Sequence, residues 1–356
     1  MAIETQAINQ EKLGKLLANV VQDYGAVLSS ALVLIGEHLG LYQAMADGEP
    51  VDSVALAAKT NVGERYLRDW LVNQAAGGYV EYDDATGRYF LSPEQALVLA
   101  GSDGPVDVPG GFRFTNAAIK ADERIAEVMR SGGGMSWGEH DHGMFDGTER
   151  FFRPIYRYNL VDSWIPALDG VEPKLTNGAS VADIGCGHGA STIIMAEAYP
   201  ASRFVGYDFH APSIERAREA ARLAGVSDRV MFEVSDAAAF PGAEYDLVTF
   251  FDCFHDLPNP DLAAQRTCQA LASDGTALIV EPMAGRSAQG NFNPIGRVFS
   301  AGSLLICTPN ALAGGTTALG AIASDAAIEE AVKAGGFTRF RRAAETPFNR
   351  VFEARK

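Results

Sequence analysis

A strand-like run, Val181-Ala182-Asp183-Ile184, passes into Gly185-Cys186-Gly187-His188-Gly189 and then into a helix-compatible stretch, Ala190 to Ala198. Three glycines on alternate positions between a buried strand and a helix start leave few folds open. Glycine accepts backbone angles that other residues resist, and it lets a ligand approach the main chain. In an open α/β sheet this strand, turn and helix start form the place where a nucleotide-like ligand is held.

Two ligand classes use such a loop. The dinucleotide fingerprint, G-x-G-x-x-G/A, is met loosely with Ala190 in the last place. The pattern D/E-x-G-x-G-x-G is filled completely by Asp183, Gly185, Gly187 and Gly189. Arg203 to Tyr207 reads as the next strand and ends at Asp208, a carboxylate placed to accept both hydroxyls of a ribose in either class. Pro212 to Ala224 carries Ile214, Ala217, Ala221 and Leu223 at helical spacing. A third strand, Arg229 to Val234, ends at Ser235-Asp236, where an acid can accept from an adenine amino group. Tyr245 to Phe251 is mostly apolar, as a central parallel strand should be. Thr276 to Val280 is a fifth strand, and Phe337 to Arg342 with Phe348 to Ala354 a final hairpin.

In this order the residues from Val181 to the C-terminus resemble the class I S-adenosylmethionine-dependent methyltransferases. The resemblance implies an α/β, Rossmann-like sheet with S-adenosyl-L-methionine as cofactor. Gly185, Gly187 and Gly189 would bear its methionine end, Asp208 the ribose and Asp236 the adenine. Asp183, Cys186, Phe209, Ala237 and Phe251 complete the candidate cofactor-binding set. Cys186 reads as a small loop residue, not a nucleophile.

The chemical candidate follows the fourth strand, in Phe251-Asp252-Cys253-Phe254-His255-Asp256-Leu257. A His at a strand end opposite the glycine loop faces the cleft where ligands sit. The stretch resembles the His-Asp-Trp element of small-molecule O-methyltransferases, in which the His is the general base. His255 and Asp256 match it, and Leu257 replaces the Trp. Glu281 matches an acid that steadies that His. The second such acid has no counterpart in Ala313 to Leu319. Catalytic candidates are therefore His255, Glu281 and Asp256, with transfer to a hydroxyl oxygen expected and carbon or nitrogen transfer as alternatives. Asn293 to Ile306 is apolar enough to roof an acceptor pocket, and suits a dimer contact or core helix equally.

The N-terminal half reads differently. Glu11 to Met45 has helical periodicity, Val51 to Lys59 and Glu64 to Gly77 are further helices, and Tyr79 to Tyr82 with Arg88 to Leu91 flank a turn. Helix, turn, helix and wing suggest DNA. Yet from Val51 to Leu91 four basic residues face six acids, and a recognition helix must meet phosphates. This module resembles the winged-helix dimerisation domain of the same O-methyltransferases, which makes Trp70 and Leu71 core or interface and implies a homodimer. A winged-helix regulator sensing a ligand, and an NAD-dependent dehydrogenase, are the competing readings.

Expected divisions are 1–100 for the winged helix, 101–160 for linker and lid helices, and 161–356 for the cofactor domain. Within the linker, Thr115 to Met129 and Glu149 to Ile165 read as helical, with Pro154 tolerable only near a first turn. Glu139-His140-Asp141-His142 reads as a solvated loop or lid, and no metal is expected. A net charge of −16 argues against a polyanionic partner. Four scattered cysteines without a CxxC pair suit a reducing cytoplasm. Ser29 to Leu41 is apolar but too short to span a bilayer, so no membrane partner is expected.

Overall fold

The computed structural model describes residues 8–101 and 104–356. The chain divides into two compact units, one ending at Asn116 and the other running Ala117–Lys356. The second unit thus takes in most of the segment that the sequence reading set apart as a linker.

In the first unit, helix α1 (Gln10–His38) is capped by the Asn9 side chain, which accepts from the Lys12 N–H. Gly40, at φ 67°, breaks the helix, and a short helix Leu41–Met45 follows. Asp52 caps α2 (Ser53–Thr60), and α3 (Glu64–Ala76) precedes a wing of Glu81–Asp83 paired with Arg88–Phe90. Val33, Leu56, Leu67, Trp70 and Leu71 share one core. Both arginines of α3 are paired within the helix, Arg65 to Asp69 at 2.8 Å and Arg68 to Glu64 at 2.6 Å. Leu17, Val21, Tyr24 and Leu28 of α1 are exposed. At 29 residues α1 is long and apolar enough to cross a membrane by length and composition, more than the short stretch considered from sequence.

The second unit is built on seven strands: β1 (Ser180–Ile184), β2 (Arg203–Asp208), β3 (Val230–Val234), β4 (Tyr245–Phe251), β5 (Leu271–Pro282), β6 (Arg339–Glu345) and β7 (Asn349–Arg355). Their order is β3-β2-β1-β4-β5-β7-β6, with β7 antiparallel to both neighbours and the other pairings parallel. Side chains alternate between faces, so Val181 joins one core cluster while Ala182 and Ile184 join the other. The strand order turns back at β1, between β2 and β4, and a crevice opens beyond the carboxyl ends there.

Helices depart from the sequence reading in two places. Val108–Ile119 and Asp122–Ser131 replace one stretch from Thr115. Helix α4 runs Gly143–Asn159, starting earlier than expected and holding Pro154 in its interior. Pro154 is buried there with Met144, Ile155 and Tyr156. Tertiary packing of that face outweighs the missing N–H. A π-turn, Leu160–Trp164, closes it.

Candidate active site

At the carboxyl ends of β1, β2 and β4 lies a cavity of about 370 Å³, within the usual range for small-molecule sites. Gly185 and Gly187 form its floor, both at positive φ (68° and 53°). A Cβ at Gly187 would meet no atom within 4 Å, so the main chain there is open to a ligand. Gly189 serves another purpose. It starts helix α5 (Ala190–Ala198) at φ 82°, and a Cβ there would lie 2.5 Å from Phe232. Among the expected cofactor residues, Gly185, Cys186, Gly187, Asp208, Phe209, Asp236, Ala237 and Phe251 line the cavity.

Asp183 does not line it. Its buried carboxylate accepts from Ser191 Oγ at 2.7 Å, Thr192 Oγ1 at 2.6 Å and Thr249 Oγ1 at 2.9 Å. Side-chain alternation along β1 turns Asp183 behind the loop, where it ties β1 to α5 and β4. Burial raises its pKa to about 6, against the pull of these three bonds. Asp208 accepts from Gly187 N–H at 2.9 Å and His210 N–H at 2.8 Å, which fixes it under the loop. Burial pushes its carboxyl up and the two N–H bonds partly offset that.

The expected base follows β4, as the sequence reading placed it, but is buried. His255 is 3% exposed and outside the cavity lining. Its Nδ1 is 2.8 Å from Glu281 Oε2, as the sequence reading required. Its Nε2 is 3.3 Å from Cys307 Sγ, which a π-turn, Ser303–Cys307, brings against it. Burial disfavours a charged His255, yet Glu281 and Cys307 outweigh it and raise its pKa. Asp256, one residue on, does line the cavity, with a pKa lifted by burial to about 7. Helix Pro294–Gly302, a possible roof, contributes nothing to the lining; Asn310, Ala313 and Gly314 do.

Sequence reasoning missed three features. Asp252, a non-glycine residue at φ 52°, lines the cavity at the end of β4. Its carboxylate accepts from Tyr156 Oη at 2.9 Å and Asn349 Nδ2 at 2.8 Å. Burial first, and Glu281 second, raise its pKa to about 8. Backbone strain of this kind gathers at functional sites. Helix α4 lays Phe145, Thr148, Glu149, Phe152 and Tyr156 along the cavity, and Glu149 Oε2 meets His188 Nδ1 at 3.1 Å. Trp137 packs on Phe145 (5.4 Å between ring centroids), and Phe145 on His210 (4.7 Å). The neighbouring His140 is buried and His142 exposed, so the tract is only partly the solvated loop expected. The one legible signal for α4 was its aromatic content.

Among the described residues no lysine or arginine lines the cavity, whereas Glu149, Asp208, Asp236, Asp252 and Asp256 do. That set suits a ligand with positive charge. It would repel the negative charge of a pyrophosphate.

Residues 175–304 match the family model for a methyltransferase domain, and residues 27–101 that for an Rv2258c-like winged HTH domain. Over 126 residues the chain is 34% identical to 27-O-demethylrifamycin SV methyltransferase of Amycolatopsis mediterranei, covering 35% of this chain and 44% of that protein. The chain thus spans less than half the length of that curated relative. The structure of mitomycin 7-O-methyltransferase aligns with a TM-score of 0.70 at 19% identity, over 98% of this chain and 100% of that one. Human N-acetylserotonin methyltransferase in complex with SAM aligns at 0.68 and 16% identity, over 99% of each chain. At these identities the likeness is one of fold.

Proposed function

We propose that this enzyme, which joins a methyltransferase domain to a winged-helix domain, transfers a methyl group from S-adenosylmethionine to a hydroxyl oxygen of a small molecule. One observation carries the reading: an open glycine loop faces a cavity lined by five acidic side chains and, among the described residues, no lysine or arginine. S-adenosylmethionine, when bound, supplies an electrophilic methyl on a positively charged sulfur. Gly185 and Gly187 would hold its amino-acid end, Asp208 its ribose, and Asp236 with Ala237 its adenine. The relatives named above are methyltransferases of small molecules, which supports an acceptor of that kind.

The chain's own task is alignment. Helix α4 and the turn at Leu257-Pro258 narrow the cavity beside the glycine loop and keep an acceptor near the transferring carbon. Asp252, strained and pinned by Tyr156 and Asn349, holds the end of β4 in place. His255, with both nitrogens occupied, keeps charge behind the wall in this reading and does not touch the acceptor. A crystal grown with S-adenosylhomocysteine tests the assignment. Its ribose is expected on Asp208, and a ribose bound away from β2 would contradict it.

The exposed apolar residues of α1 support a homodimer built through the first unit. Substituting Val21 and Leu28 with Glu is expected to release monomers in sedimentation velocity. An unchanged species, or a wild type that already sediments as a monomer, would remove the dimer. The paired arginines of α3 leave little free charge for DNA.

A further inference from the structure

Asp256 stands apart from the other acids of the cavity. Asp208 is bonded by two backbone N–H groups, Asp252 by Tyr156 and Asn349, and Glu149 by His188. No hydrogen bond or ion pair from another residue reaches the Asp256 carboxylate among the described residues. Asp256 is partly exposed and lines the cavity. Its turn is held by Asn310, whose Nδ2 donates to the Asp256 carbonyl at 3.1 Å and whose Oδ1 accepts from Trp137 N–H at 2.9 Å. An unpaired carboxylate on a fixed turn, beside the strand end that carries the chemistry, is placed to accept a proton.

We propose that Asp256 is the catalytic base of this site, taking the proton of a hydroxyl acceptor that carries no negative charge. The inference rests on the function proposed above. The acceptor's O–H bond breaks toward an Asp256 oxygen, the acceptor oxygen bonds the methyl carbon, and the carbon–sulfur electron pair stays on sulfur. The proton then leaves Asp256 for water through the cavity mouth. An anionic acceptor is disfavoured because its charge would meet these carboxylates with no lysine or arginine in the lining.

The surroundings poise the group. Burial lifts its pKa to about 7, the neighbouring His255 lowers it, and Glu281 from β5 and Asp208 from β2 raise it. Cys253 and Cys307 also face it. A base that titrates near neutrality is half ready at working pH and still able to hold a proton.

The test needs no acceptor. A sulfonium beside Asp256 favours its ionised form, so binding S-adenosylmethionine should expel protons that S-adenosylhomocysteine, with a neutral sulfur, does not. A shift of one pKa unit from 7 corresponds to about 0.4 proton released per site at pH 7. Calorimetry in buffers of different ionisation enthalpy reads this number on the full chain. The excess release with S-adenosylmethionine is expected in the wild type, reduced in Asp256→Asn, where Asp252 is the remaining lining acid with a raised pKa, and restored in Asp256→Glu. His255→Gln should keep it and move its midpoint to higher pH, because a neighbouring cation is lost. Release undiminished in Asp256→Asn, or equal release with both ligands in the wild type, overturns the proposal. Failure of both nucleosides to bind would instead sink the methyltransferase reading itself.

Discussion

Asp183→Ala is expected to destabilise the second unit by roughly 3–5 kcal/mol, because it strands three buried hydroxyls that now share one carboxylate. For a unit of this size that corresponds to a melting temperature lower by about 10 °C. Asp183→Asn should behave oppositely. Its amide oxygen still accepts, and the hydroxyl of Thr249 can rotate to take the amide hydrogen. Charge is not what this position needs, since burial already raises the acid's pKa to about 6. The folded value exceeds the unfolded one. Stability from this group is therefore full below pH 4 and declines as pH rises through about 6. The Asn variant should lose that dependence and equal or exceed the wild type at pH 8. Thermal melts of both variants at pH 5.5 and pH 8 decide it. A mild Ala variant, or an Asn variant as damaged as Ala, would mean that Asp183 does not tie β1 to α5.

Gly189→Val should be comparably severe, by a different route. A β-branched residue at φ 82° is strained by about 1–2 kcal/mol. Its Cβ would also lie 2.5 Å from Phe232 and 3.1 Å from Ala217, and overpacking of this kind costs about 1–3 kcal/mol. Gly187→Ala provides the contrast. At φ 53° it carries left-handed strain of about 1–2 kcal/mol, but its Cβ enters open cavity without overpacking, while the nucleoside loses its close approach to the main chain. Melting temperature and affinity for S-adenosylhomocysteine should thus separate: Gly189→Val loses both, Gly187→Ala mainly the second. Equal losses of affinity and stability in the two variants would contradict the division of labour among the glycines.

The central strand positions were legible because parallel strands buried on both faces carry near-continuous apolar runs. Each expected strand from Val181 to Ala354 overlaps one in the sheet. Asp208 and Asp236 could be placed because they follow such runs directly. Contacts made across long sequence distances were not legible. Nothing in Val181-Ala182-Asp183 says that the acid turns inward to Thr249. Nothing in Ser303 to Cys307 announces a π-turn that sets a thiol against His255, 52 residues away. Asp252 escaped notice because positive φ at a non-glycine residue leaves no compositional trace. The helix around Pro154 was misplaced because packing overrode a local rule.

The central claim is that the cavity at the glycine loop binds a sulfonium nucleoside through Asp208. Titration calorimetry of the full chain with S-adenosylhomocysteine tests it most directly. The account predicts one site per chain, at least tenfold weaker in Asp208→Ala through loss of charge-assisted hydrogen bonds of about 1.5–3 kcal/mol. Well-folded protein that gives no heat with this nucleoside, and binds NAD instead, would contradict it.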